Sequence, residues 1–208
     1  MMIAYRGANE FLKVDLFTEE VFSKLKHLHI SSIHPEIAYG FIVKAKKYGK
    51  TISYDPGGSA ALGFDSFLKL FKYLDFLLVN KTEIKLLTRI SNLNNAIDHV
   101  LLHGVKYVIV KLGKNGSLIK GRNVSHYASA FKVRSIDTTG AGDAFNAGFI
   151  FGFLKGLPLD LSLVLGNLVA ALKIQRRGAR ASPYLKEVIN FALKNELHEL
   201  VSKLKYEI

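Results

Sequence analysis

Asp137-Thr138-Thr139-Gly140-Ala141-Gly142-Asp143 is the stretch that organises the chain. It lies between a short extended stretch, Phe131 to Ile136, and an apolar helical run, Ala144 to Leu154. Gly140 and Gly142 lack Cβ atoms, so the backbone there can take tight dihedrals and approach a ligand closely. The helix that follows opens with unpaired N–H groups and a partial positive charge, which suits an anion. Asp143 falls in the same first turn, where the dipole stabilises an exposed carboxylate by roughly 0.3–1 kcal/mol. A base beside a site for developing negative charge suits phosphoryl transfer to a hydroxyl. The carboxylate takes the hydroxyl proton while amides steady the phosphoryl oxygens. Gly-Ala-Gly by itself reads equally well as a turn that packs a helix against a sheet.

On the N-terminal side of this loop, strands and helices alternate. Met2 to Tyr5 reads as a short strand, followed by a polar turn around Gly7-Ala8-Asn9. A helix begins near Thr18, an N-cap, with Glu19 and Glu20 suiting its first turn. His27 to Ser32 reads as a strand. Pro35 to Tyr48 reads as a helix with Pro in its first turn and Gly49 just past its end. Thr51 to Tyr54 is a strand closed by a turn at Asp55-Pro56-Gly57-Gly58. Phe64 to Tyr73 is a helix, Phe76 to Val79 a strand, and Asn80 to Thr88 and Leu93 to His103 are helices. Tyr107 to Leu112 is a strand that turns at Gly113-Lys114-Asn115-Gly116 into Ser117 to Lys120, a hairpin. Strands separated by helical segments imply right-handed βαβ crossovers and a mainly parallel sheet. Short, nearly all-apolar strands agree, because parallel strands are buried on both faces.

The C-terminal third reads as helices over Ala141–Leu154, Leu159–Gln175, Tyr184–Lys194 and Glu196–Lys205. The second is apolar almost all round and is expected to be buried. The expected fold is α/β: one domain over 1–208, three layers (α/β/α) around a mainly parallel sheet. Its ligand cleft should lie at the C-terminal ends of the strands.

Composition narrows the classes. A net charge of +12 invites a nucleic-acid reading. The basic residues are spread out, the tightest groups being Lys44/Lys46/Lys47 and Arg176/Arg177/Arg180, without the aromatic-and-basic pattern of an RNA or DNA reader. A solvated basic surface that favours polyphosphates is the better reading. Without cysteine there is neither a disulfide scaffold nor a thiolate metal site. Met1 to Arg6 has no signal-peptide pattern, and no apolar run reaches the ~18 residues of a membrane span, so a cytoplasmic protein is expected. His99 and His103 stand four apart on one helix face, and His27 and His29 share a strand face. Neither pair has an evident third ligand, so both read as surface or half-buried histidines.

The full seven residues, followed by Ala144-Phe145, resemble the C-terminal signature of the ribokinase (PfkB) family of carbohydrate kinases. No Gly-x-x-x-x-Gly-Lys-Ser/Thr loop is present. Asn80-Lys81-Thr82-Glu83, after a strand, is similar to the family's Asn-x-x-Glu motif; from the residues alone it is a capping box, and both roles can hold at once. Lys111-Leu112-Gly113-Lys114-Asn115-Gly116-Ser117 resembles the nucleotide-side strand and turn, although alone it reads as a tight hairpin. Arg177-Gly178-Ala179 resembles the segment near the adenine and the monovalent-cation loop. The resemblance covers nearly the whole chain, from about Arg6 onward.

It implies an ATP-dependent kinase with Asp143 as base and the amides of Gly140, Ala141 and Gly142 as anion hole. Glu83 would act through the hydration shell of Mg²⁺, with Asn80 near the phosphates. Lys111, Gly113, Gly116, Thr138, Asn167 and Gly178 would line the nucleotide site, ATP lying between the 112–116 turn and the 166–179 region. Asp137, Thr139, Gly178 and Ser182 would hold K⁺. The acceptor would be a hydroxymethyl group of a small sugar or sugar acid, in the manner of a ribokinase or fructokinase.

The chain also departs from the family. The opening strand, the Gly-Gly signature and the small β lid, which carry most sugar contacts, are not matched, so the chain is expected to start just after the lid. Gly57, Gly58 and Ser59 stand where the family often has Asn and Arg. The alternative is therefore a nucleotide-binding protein impaired in catalysis, or one whose sugar site a partner subunit completes. A bared sheet edge or apolar surface would favour a homo-oligomer.

Overall fold

In a computed structural model of the chain, Gly7 and residues 11–205 are described. The strand expected at Met2 to Tyr5, with Ala8 and Asn9 of the turn after it, lies outside the described residues. Two compact units are present, one ending at Val108 and the other beginning at Ile109. Among the described residues the strand order is β1 (His27–Ser31), β2 (Thr51–Asp55), β3 (Phe76–Asn80), β4 (Tyr107–Lys111), β5 (Ser117–Gly121), β6 (Ser125–Ala128).

The first unit holds β1 (His27–Ser31), β2 (Thr51–Asp55), β3 (Phe76–Asn80) and the start of β4 (Tyr107–Lys111). Between them come α1 (Glu19–Lys24), α2 (Pro35–Lys47), α3 (Leu68–Phe71), α4 (Lys81–Thr88) and α5 (Leu93–Leu102). β1 pairs with β2 and β2 with β3, both parallel, His27 opposite Thr51 and Ser53 opposite Phe76. The apolar runs that suggested parallel strands are buried on both faces: Ile52, Tyr54 and Phe76 to Val79 have almost no exposed surface. β1, first in the order, buries only Ile30. Asp75 ties the layers. Its carboxylate accepts from the Ile52 N–H (2.8 Å) and the Lys46 ammonium (2.7 Å).

Most boundaries fall where the residues put them. α2 has Pro35 at its first position, and Gly49, just past Tyr48, has φ 67°. Thr18 is the N-cap residue of α1, but its side chain makes no capping bond. The helix expected over Phe64–Tyr73 is broken instead into a 3₁₀ turn, Phe64–Ser66, and α3. Phe64, Phe67 and Leu70 recur every three residues, the period of a 3₁₀ helix. The Asp55–Gly58 turn runs into a second 3₁₀ segment, Gly57–Leu62. Both histidine pairs make contacts within the first unit. His27 lies within 2.8 Å of Thr51 Oγ1 and 2.7 Å of Ser53 Oγ, and His29 within 2.7 Å of Ser53 Oγ. Burial, with the neighbouring His29 adding to it, pushes His27 down to about 4. His99 and His103 pack around the Phe64 ring.

The second unit holds the end of β4, β5 (Ser117–Gly121), β6 (Ser125–Ala128), α6 (Ala141–Leu154), α7 (Leu159–Lys173), α8 (Leu185–Lys194) and α9 (His198–Lys205). β5 and β6 are antiparallel, Ser117 opposite Ala128. β6 was not expected: Ser125, His126 and Tyr127 are exposed and carry no apolar alternation. Residues 129–136 form no strand, and Phe131 packs its ring against Phe191, 5.6 Å away. The N–H groups of Ile136 and Asp137 both donate to Ile174 O (2.7 and 3.1 Å) at the end of α7. α6 and α7 approach each other through glycines. A Cβ on Gly148 would lie 2.9 Å from Val169 Cγ2, and one on Gly166 2.9 Å from the Phe145 ring. No described helix is long and apolar enough to cross a membrane.

Candidate active site

The 137–143 loop opens α6. Gly140 is its N-cap in the left-handed region, φ 78° and ψ 7°. A Cβ there would lie 2.5 Å from Ala179 O, so glycine is required both by the dihedral and by the close approach of the 178–180 backbone. The first intrahelical bond runs from Ala144 N–H to Gly140 O (3.0 Å). Ala141 N–H turns back to Thr138 O (3.1 Å). Of the three amides expected to hold an anion, that of Ala141 therefore already serves the turn. The amides of Gly142 and Asp143, in the first turn, have no carbonyl four residues back that helix geometry could offer them. Asp143 is exposed at the third helical position, where a carboxylate interacts favourably with the dipole.

Lys111, at the end of β4, reaches this turn. Its ammonium donates to Asn146 Oδ1 (3.3 Å), and a Cβ on Gly142 would be 3.5 Å from its Nζ. A fixed cation and the positive end of a helix meet at one place, and both favour an anion. Asn146, one turn past Gly142, is 1% exposed. Asn146 was not singled out from sequence; a polar residue within the apolar run Ala144 to Leu154 was the available signal that a buried partner is needed.

Asp137 is the anchor of the loop. One carboxylate oxygen accepts from Thr139 N–H (2.9 Å), the other from Gly178 N–H (2.8 Å). These amides, first Thr139 and then Gly178, with the Lys173 charge contributing, hold its carboxyl well below the usual range, at about 2. Its carbonyl accepts from the ammonium of Lys173 (2.9 Å), a lysine with 0% of its surface exposed. Sequence reading missed Lys173, whose signal was a charged residue closing a buried apolar helix. Thr138, Thr139, Gly178 and Ser182 are exposed. Within the donor set expected for K⁺, both carboxylate oxygens and the carbonyl of Asp137 accept from N–H donors, and the donor on the carbonyl is itself a cation, the Lys173 ammonium.

The nucleotide-side residues divide. At Gly113, φ 61°, no atom lies within 4 Å of where a Cβ would stand, so the backbone is open to approach. Gly116 is a packing glycine: a Cβ would come within 2.0 Å of Ala128 O. The turn between them closes through Leu112 N–H to Gly116 O (2.7 Å). Asn167 is buried, and its amide nitrogen donates to Ala128 O (2.9 Å) and Ser129 O (3.3 Å). Its amide therefore braces α7 against the end of β6.

In the first unit, Asn80 and Glu83 form the capping box that the residues alone suggested. Asn80 Oδ1 accepts from the N–H groups of Thr82 (2.8 Å) and Glu83 (2.9 Å), and Glu83 Oε2 accepts from Asn80 N–H (2.8 Å). Both residues are half-buried at the junction of β3 and α4.

Comparison with known proteins bears on the family and the fold. The chain is 32% identical over 178 residues to an uncharacterized sugar kinase of Archaeoglobus fulgidus, covering 84% of this chain and 71% of that protein. Among solved structures, a ribokinase from Thermotoga maritima is similar with a TM-score of 0.82 and 32% identity, over 93% of this chain and 65% of that one. An E. coli protein described as a ribokinase II, in complex with ATP and Mg²⁺, is similar with a TM-score of 0.80 and 25% identity, over 89% of this chain and 64% of that one. The chain thus spans just under two thirds of the length of either structure. The fold is their three-layer α/β arrangement, with a mostly parallel sheet of six strands among the described residues. Residues 1–186 match the family described as pfkB family carbohydrate kinase, and with the glycine-led loop, its aspartate and the lysine beside it, the chain belongs to that family.

Proposed function

We propose that the chain transfers the γ-phosphoryl group of ATP to a hydroxymethyl group of a small sugar or sugar acid. One juxtaposition carries the reading: Asp143 stands in the first turn of α6, with the Lys111 ammonium close to Gly142 in the same turn. Asp143 takes the proton of the acceptor hydroxyl as that oxygen attacks. The α6 amides, Gly142 foremost, and Lys111 hold negative charge on the phosphoryl oxygens as it develops. Asp137 and Gly140 keep these groups in place, so little reorganisation accompanies the reaction.

The residues present fit ATP and Mg²⁺. The open backbone at Gly113 leaves room for a nucleotide, and the lysine at a helix start matches a polyphosphate. Mg²⁺ is commonly held by one or two carboxylates, water and substrate phosphates, the role that the family resemblance gives to Glu83 and Asn80. Bound together, ATP supplies the phosphoryl group and Mg²⁺ offsets its charge. The sugar-kinase and ribokinase relatives support the acceptor class, and the E. coli structure with ATP and Mg²⁺ supports the donor.

The test is ADP release with ATP and Mg²⁺ across a panel that includes ribose, fructose and 2-keto-3-deoxygluconate. At least one acceptor should raise release well above the sugar-free rate. ATP binding without acceptor-dependent release from any member would reject transfer and leave nucleotide binding alone.

A further inference from the structure

Lys173 is the largest charged side chain wholly inside the described residues, and the proposed chemistry does not use it. Burying a cation is costly unless it is paired and hydrogen-bonded. Here the ammonium donates to Asp137 O (2.9 Å) from the last position of α7, while Asp137 grips the amides of Thr139 and Gly178 with its carboxylate. One residue further on, Ile174 O accepts from the N–H groups of Ile136 and Asp137. The end of α7 therefore holds the loop from below by one charged and two neutral hydrogen bonds. A cation at the last turn of a helix also suits the negative end of its dipole. The Asp137 oxygens expected to face an alkali cation accept from Lys173, Thr139 and Gly178, and the ammonium on the carbonyl would repel a second cation placed beside it.

We infer that Lys173 is a built-in cation: its ammonium does, as part of the chain, what a dissociable K⁺ would otherwise do beneath the 137–140 loop, and the loop is ordered without alkali ions. Lys173 is thus a positioning residue for the α6 amides and Asp143. The consequence for turnover rests on the proposed phosphoryl transfer; the ordering of the loop does not.

Amide hydrogen exchange on the nucleotide-free protein tests it, with K⁺ compared with tetramethylammonium at matched ionic strength. In the native protein, exchange at Thr139 and Gly178 should differ by less than about twofold between the two ions. Lys173→Ala, which removes a charge-assisted hydrogen bond and leaves a space, should speed both amides roughly tenfold or more in tetramethylammonium. K⁺ should then slow them again, a rescue that a merely structural lysine would not show. Marked slowing of the native loop by K⁺ would overturn the inference. So would a variant as protected as the native protein, or a loosened variant indifferent to K⁺. Should Lys173→Ala fail to fold, the native comparison decides. Failure to bind ATP in the same samples would count against the proposed transfer and not against the built-in cation.

Discussion

Replacing Gly140 by alanine should be the most damaging single-methyl change in the loop. Two independent costs arise. A residue with a Cβ at φ 78° occupies the left-handed region, at about 1–2 kcal/mol. The new methyl would also stand 2.5 Å from Ala179 O, a backbone atom that moves only if the 178–180 segment shifts. Overpacking of this kind costs about 1–3 kcal/mol. If both are borne in full, the loss is about 2–5 kcal/mol; if the loop relieves the clash by opening, stability recovers but ATP affinity falls. Gly142→Ala is the control. Its nearest neighbour is the far end of the Lys111 side chain at 3.5 Å, and alanine favours the helix by up to about 1 kcal/mol, so its net effect should lie within about 1 kcal/mol of zero. Urea denaturation of the native protein and both variants, with ATP titration calorimetry on each, reads the difference. Gly140→Ala within about 0.5 kcal/mol of native stability, with native ATP affinity, would refute the reasoning about the loop.

Lys111→Met should weaken ATP binding by roughly tenfold or more, the worth of one charge-assisted hydrogen bond, and flatten the salt dependence of binding; calorimetry at two ionic strengths checks both. Ser117 Oγ is buried with no hydrogen-bond partner among the described residues, so Ser117→Ala should leave stability unchanged or raise it by up to about 1 kcal/mol in urea denaturation. His27 makes stability depend on pH with a definite sign. Its folded value of about 4 lies below the unfolded 6.5, so the unfolded chain binds the proton first and stability falls as pH drops from 6.5 towards 4, levelling below that. Allowing for partial exposure, the loss is of order 2 kcal/mol, and His27→Gln should abolish that part of the slope in denaturation curves measured across this window.

The fold was legible where local chemistry and burial agree. Phe76 to Val79 is apolar without interruption because both faces are covered, and Pro35 and Gly49 bracket a helix because one lacks an N–H and the other takes a positive φ. β6 was not legible, since its exposed Ser125, His126 and Tyr127 carry no pattern and its place is set by pairing with β5. The helix expected over Phe64–Tyr73 failed because spacings of three and of four residues are hard to tell apart over ten positions. At the site, the loop and its aspartates could be read because the glycines and carboxylates are contiguous. Lys111 meeting Gly142 and Asn146 depends on residues 31 and 35 positions apart, and Lys173 meeting Asp137 spans 36, so only the fold reveals those contacts. Sequence also could not separate Gly113, which is open, from Gly116, whose α-carbon is packed against backbone.

The central claim is that the first turn of α6 holds a transferring phosphoryl group with Asp143 as its base. Transfer of labelled γ-phosphoryl from ATP to the accepted sugar, measured for the native protein and Asp143→Asn alongside ATP affinity, tests it most directly. Transfer should fall by about 10²–10⁴-fold, the usual contribution of a general base, while ATP affinity stays within a few-fold of native. Turnover by Asp143→Asn at the native rate would contradict it.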